Sequence, residues 1–221
     1  MRSAKLHDVT DSADGLRERR RAETTRTLIR AARRFTAEHG LAGFTVEELC
    51  NEAAVSRRTF FNYFASKDDA VLGIPLERSD AAAIARFLAG PSDGPGISPN
   101  LLTDLALLAE ERWRALDIAP DTVQDLFRAV EKEPRLLARM LELGFEGEQF
   151  DARLIEQREN LPSGDLRAQV ASQVVGALVR SAAGEFLKPG NPDSFIQIFE
   201  RRIGAARDLF ATQTALMGTS E

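Results

Sequence analysis

The sequence predicts an all-α fold in two parts, a small basic module followed by a larger acidic helical domain, and three observations carry that expectation. Alanine and leucine abound while alternating β-branched or aromatic runs are scarce, a balance that favours helix over sheet. Segment after segment opens on a capping residue and continues with apolar residues at helical spacing. The charge is also divided: residues 1–67 hold 13 Lys/Arg and 9 Asp/Glu, net +4, whereas residues 68–221 hold 16 and 25, net −9. The formal charge of −5 over 221 residues therefore hides a basic first part, as expected of a phosphate-binding module joined to a body that nucleic acid should not attract. The length suits one small module and one medium domain.

Residues 1–16 are polar, mixed in charge and aperiodic, and are expected as a disordered arm. From Leu16 to Glu38 the spacing of Thr24, Leu28, Ala31, Ala32 and Phe35 predicts a first helix, stopped by Gly40. Thr45 and Glu48 form an S/T-x-x-E capping box for a second, short helix whose Val46, Leu49 and Ala53 share a face. Ser56 caps RRTFFNYF, with Val55 and Phe60 at the positions of a hydrophobic staple, so the third helix begins barely a turn after the second ends. Ser66 and Asp69 start a fourth, expected to bend or break near Gly73 and Pro75 and to resume through Phe87. GPSDGPGISPN, residues 90–100, is a Gly/Pro-rich linker between helices. Further helices are predicted at about 100–117, 120–132, 134–160, 165–187 and 192–213. Pro120, Pro134 and Pro192 fall at or near first turns, and Gly164 and Gly190 fall at breaks. Phe35, Phe44, Leu49, Phe60 and Phe64 are assigned to the core, and the single Cys50 to a buried apolar face.

Two short helices joined by a tight turn, the second opening Ser-Arg-Arg-Thr, suit the reading of DNA: one crosses the backbone and the next presents its first residues to base edges in the major groove. Arg57 and Arg58 can each fork onto guanine or clamp a phosphate, Asn62 can pair with adenine, and Thr59 can touch a thymine methyl or donate to phosphate. The helix starts at Thr45 and Lys67 offer N–H groups to phosphates. Arg17, Arg19, Arg20 and Arg21 form either a solvated helix start or an arm that contacts phosphate or the minor groove.

The stretch RAETTRTLIRAARRFTAEHGLAGFTVEELCNEAAVSRRTFFNYFASKDDAVL resembles the DNA-binding domain of TetR-family regulators, with F-x-x-x-x-G, T-V-x-x-L, C-x-x-A-x-V-S, T-x-F-x-Y-F and S-K in register. The resemblance implies a ligand-responsive repressor that binds palindromic operator DNA as a homodimer. It implies phosphate contacts for Thr45, Thr59, Tyr63 and Lys67, and a groove-facing set of Arg57, Arg58, Phe61 and Asn62. Phe61 stands where relatives commonly have tyrosine, so it can act only by apolar contact. The domains implied are residues 17–66 for the helix-turn-helix and 67–221 for ligand binding and dimerisation. RRTFFNYF after AETTR is similar to the branch of mycofactocin-cluster regulators, which implies an acyl-CoA effector.

In the second part, Val170, Val174, Ala177, Leu178 and Ser181, then Phe195, Ile198, Phe199, Ile203 and Phe210, recur at helical spacing. The resemblance makes them a dimer interface in a four-helix bundle; an ordinary core is the alternative. Leu105, Leu108, Trp113, Phe127, Leu137, Met140, Phe145 and Phe150 form an apolar, adaptable set suited to a small hydrophobic effector. A ligand wedged between Trp113, Phe127 and Met140 is expected to swing the fourth helix and so respace the two reading heads.

No Cys/His cluster, G-x-S-x-G, P-loop or dinucleotide fingerprint is present, so neither catalytic residues, metal nor cofactor is expected. His7 and His39 sit in the arm and at a helix end, and the pairs Glu110/Glu111 and Glu146/Glu148 are expected on solvated faces. With no long apolar run and no signal-peptide centre, a cytoplasmic location is expected. A DNA-binding protein without a ligand is the remaining rival, separated by whether metabolites weaken DNA binding.

Overall fold

The computed structural model describes residues 4–76, 80–90, 96–116, 120–188 and 190–217, and every regular element among them is helical. The order is α1 Ala4–His39, a 3-10 turn Leu41–Gly43, α2 Val46–Glu52, α3 Arg57–Tyr63, α4 Lys67–Leu72, α5 Ala81–Leu88, α6 Leu101–Ala115, α7 Pro120–Lys132, α8 Pro134–Arg158, α9 Leu166–Phe186 and α10 Phe195–Met217. The helices predicted from residue 100 onward agree with α6 to α10 to within a few residues, because their prolines and glycines sit at real starts and stops. Of the linker at 90–100, residues 91–95 lie outside the described residues. No helix among the described residues is long and apolar enough to cross a membrane.

The chain forms two compact units, Met1–Arg78 with Asp117–Met140, and Ser79–Leu116 with Leu141–Glu221. A division at residue 66 would leave α4 and α7 with the second domain, yet both pack on α1. The cause is the width of the apolar stripe on α1: Leu28, Ala31 and Ala32 are buried in one core with Phe60 from α3, Phe64 at its C-cap, Val71 from α4 and Ala129 from α7. Cys50 is buried in the same core, and that burial pushes its thiol pKa up.

One local feature differs from expectation, and the structure decides another. Residues expected as a disordered arm are helical from Ala4, and residues 1–3 lie outside the described residues. No proline interrupts the sequence before Pro75, and Gly15 alone costs about 1 kcal/mol, too little to stop a helix already nucleated downstream. The fourth helix breaks, one of the two outcomes expected near Gly73 and Pro75. Gly73 takes a left-handed φ of 76°, its N–H reaches the carbonyl of Ala70 (3.2 Å), and the N–H of Ile74 reaches that of Asp69 (2.8 Å). This 6→1 and 5→2 pair is a Schellman cap, and Pro75 follows where no helix can continue. α4 is thus a six-residue helix and not a continuous lever through Phe87.

The second unit buries Phe87 of α5, Leu101 and Leu105 of α6, Ile155 of α8, and Phe195, Ile198 and Phe199 of α10. Trp113 stacks on Phe195 with ring centroids 3.7 Å apart and meets Phe186 edge-on at 5.7 Å. A charged cluster is sealed inside. The Arg158 side chain is fully buried, lies over the Phe87 ring at 4.7 Å, pairs with Asp104, and has its Nε 3.2 Å from Glu159. Glu159 in turn accepts both the backbone N–H and the hydroxyl of Ser98 at 2.8 Å each. Nearby, Arg112 bridges Asp80 (2.7 Å) and Asp151 (2.8 Å).

Removing one partner from such a cluster strips a buried charge of part of its compensation, at a cost of about 3 kcal/mol, the low end for a broken buried pair because Asp104 still faces Arg158. Glu159→Ala is therefore expected to lower unfolding stability by about that amount, read as a shift in urea midpoint at fixed protein concentration. An unchanged midpoint would contradict the assignment of Glu159 as the counter-charge of Arg158.

Candidate nucleic-acid interface

The candidate interface is built by two caps and a turn. At α2 the Thr45 hydroxyl accepts the Glu48 N–H (3.1 Å) while the Glu48 carboxylate accepts the Thr45 N–H (2.7 Å), closing the capping box. Those bonds, the Thr45 backbone N–H first, hold the Glu48 carboxyl below its ordinary pKa. α2 ends at Glu52, and the chain turns through Ala54, which adopts φ 52°, with the Val55 N–H on the Cys50 carbonyl at 2.9 Å. Ser56 then caps α3 by accepting the Thr59 N–H at 3.0 Å.

Phe60 and Phe64 fix the rotation of α3. Both are fully buried, one helical turn apart, in the core of the first unit. The opposite face therefore carries Arg57, Arg58, Phe61 and Asn62 outward, all exposed, with the Phe61 ring 40% accessible despite its edge-on contact with Phe60. Arg57 is held back: it pairs with Glu47 of α2 and lies over the Phe61 ring at 5.6 Å. The Glu47 carboxyl is kept below its ordinary pKa by its own backbone N–H first, with Arg57 adding to the effect. Arg58 and Asn62 make no hydrogen bond or ion pair among the described residues, so they are the groups on this face with donors to spare.

The remaining expected phosphate contacts are placed around this face with their own engagements. Thr45 is exposed, and its hydroxyl serves the capping box. The Thr59 hydroxyl lies 2.8 Å from that of Ser56. Tyr63 is half-buried beneath the Arg21 guanidinium, which sits 5.4 Å from its ring centroid. Lys67 donates to the carbonyls of Leu41 (2.5 Å) and Phe44 (2.6 Å) and lies over the Phe44 ring, closing the 3-10 turn onto α4. Sequence spacing carried no signal for the Glu47–Arg57 pair, for the Arg21–Tyr63 contact, or for Arg33. Arg33 is buried, donates to the Val71 carbonyl (3.0 Å) and Thr122 (3.2 Å), and has its pKa lowered to about 10 by desolvation.

The residues expected to bind an effector are divided by the fold. Leu105 and Leu108 are buried in the second unit, with Trp113 and Phe150 packed against that core, and Phe145 is exposed on α8. Phe127, Leu137 and Met140 belong to the first unit and are exposed there. Among the residues expected at a dimer interface, Phe195, Ile198, Phe199 and Ile203 are buried within the single chain, because α10 turns that stripe onto α9 and α6. Val170, Ala177, Ser181 and Phe210 are exposed, and Val174 and Leu178 are half-buried. Among the described residues no cluster of His, Cys, Asp and Glu is arranged to hold a metal ion.

Residues 28–72 match the family model of the bacterial regulatory proteins, tetR family. The chain is 30% identical over 207 residues to the HTH-type transcriptional regulator TcmR of Streptomyces glaucescens, covering 91% of each chain. It is 27% identical over 164 residues to the HTH-type transcriptional repressor AcnR of Corynebacterium diphtheriae, covering 71% of this chain and 80% of that protein. The matched segment runs from the buried Leu28 of α1 through the capping box, the turn and α3 to the last residue of α4, and with a relative 30% identical over 91% of its length the chain belongs to the TetR family of bacterial regulatory proteins.

Proposed function

We propose that this chain is a transcriptional repressor that binds palindromic operator DNA as a homodimer in the cytoplasm, and releases it when a small apolar effector binds the second unit. One observation carries the DNA-binding role: the burial of Phe60, and of Phe64 at the C-cap of α3, turns Arg58, Phe61 and Asn62 outward from a segment, residues 1–67, of net charge +4. Arg58 is the base-reading arginine in this account, since its fork is unengaged among the described residues, while Arg57 must first give up Glu47 or bring that carboxylate with it to a cytosine amine. Phe61 supplies apolar contact to a thymine methyl or a sugar.

A single seven-residue helix offers little area for a specific site, which favours two copies related by a two-fold axis. Val170, Ala177 and Ser181 on α9, with Phe210 on α10, leave small and apolar side chains exposed where a second copy can pack. The half-buried Trp113, seated on Phe195 and Phe186, offers an aromatic wall to an apolar ligand in the second unit. An acyl-CoA is the first effector to test, on the resemblance of RRTFFNYF to acyl-CoA-sensing regulators.

Two outcomes are expected. Arg58→Ala should cost about 1–3 kcal/mol on the operator and relax preference at one base pair, whereas Arg57→Ala should cost less and leave that preference intact. Equal, sequence-independent losses in competition binding would contradict the assignment. A ligand first shown by calorimetry to bind should weaken operator binding, with a coupling of about 3 kcal/mol giving over a hundredfold release. A tightly bound acyl-CoA that leaves operator affinity unchanged would remove the effector from the account.

A further inference from the structure

α1 outruns the unit it belongs to, and the change in residue type along one face says what the overhang is for. Its buried face is made by Leu28, Ala31 and Ala32. Three helical turns are about 11 residues, so the same face further upstream is occupied by Arg17, Arg20 and Arg21. The face is apolar where it packs and cationic where it projects. Arg21 locates this face in space, since its guanidinium lies over the ring of Tyr63, the last residue of α3. Arg17, one turn upstream of Arg21, and Arg20, its immediate neighbour, are exposed, and their side chains make no hydrogen bond or ion pair among the described residues. Between residues 16 and 34 the helix carries eight arginines against two glutamates, Glu18 and Glu23. The other arginine stripe differs, because Arg34 is spent on Glu52 of α2, and Arg19 and Arg30 lie on the side of α1 away from Tyr63.

We propose that this overhang is a second DNA contact, in which Arg17 and Arg20 take phosphates of the duplex flanking the half-site occupied by α3. The proposal rests on α3 reading DNA, and it adds a footprint longer than one recognition helix provides. Two free guanidiniums in line with the end of α3 meet the backbone that leaves the groove, and they position the unit without reading sequence. Arg21 serves as the anchor that keeps the stripe in register with α3.

The test compares Arg17→Ala/Arg20→Ala with Arg19→Ala/Arg30→Ala, which removes equal charge from the other side of the helix. Binding to operator duplexes with and without flanking base pairs is measured from 50 to 200 mM salt, after circular dichroism shows unchanged helix content. Each lost phosphate contact reduces the salt slope by ~0.9, so the first double variant should lose about 2 from its slope. Its deficit on the long duplex should shrink about tenfold across that salt range, and it should gain nothing from the flanks. The second double variant should keep the wild-type slope and flank dependence. Equal losses in both would assign the effect to net charge and overturn the proposal, as would wild-type behaviour of Arg17→Ala/Arg20→Ala. Arg58→Ala is run in the same series: if it alone abolishes operator binding, α3 stands and only the overhang has failed. If it binds as wild type, the recognition helix has failed and the proposal goes with it.

Discussion

The burial of Phe60 and Phe64 is the constraint on which the rest of the site depends. Each phenylalanine contributes about 1.5–3 kcal/mol on burial, against about 1 kcal/mol for the Ser56 cap, so packing decides the rotation of α3 and the cap only decides where it starts. With that rotation set, residues 57, 58, 61 and 62 must face outward, whatever their identity. The chemistry of recognition is then a matter of which side chains occupy those four positions, and Arg58 and Asn62 are the two with no competing partner among the described residues.

Charge is used in opposite ways in the two units. In the first, arginines are mostly exposed on α1 and α3, and Arg33, the buried exception, is tied to the Val71 carbonyl of α4 beside the Schellman cap. In the second, Arg158 and Glu159 are sealed in the core with Asp104 and Ser98. Buried pairs of this kind add little net stability, but they penalise any arrangement that separates them. They give the second unit a definite internal geometry around the aromatic stack of Trp113 and Phe195.

The helical fold was legible in the sequence because its boundaries are written in local chemistry. Thr45 with Glu48, Ser56, Ser66, Pro120 and Pro134 act within a few residues of themselves, and a sequence shows such neighbours directly. What escaped the sequence depends on distant partners. Periodicity marked Phe195, Ile198, Phe199 and Ile203 as one apolar stripe, but a stripe has the same period whether it meets its own α9 or a second chain. The apolar residues from Leu105 to Phe150 likewise gave no sign that the fold would divide them between two units. Gly73 and Pro75 signalled an interruption, and only the left-handed φ at Gly73 shows that it is a full stop. Arg33 and Arg158 are buried with no sequence signal, since nothing local marks an arginine for burial.

The central claim is that the outward face of α3 reads DNA in a two-fold-symmetric assembly. Selection of bound duplexes from a random pool with the purified full chain tests it most directly. The account predicts enrichment of an inverted repeat whose half-site centres lie about one helical turn, ~34 Å, apart or a multiple of it, since two recognition helices must meet successive major-groove faces. Enrichment of a single asymmetric element, or no enrichment over the starting pool at physiological salt, would contradict it.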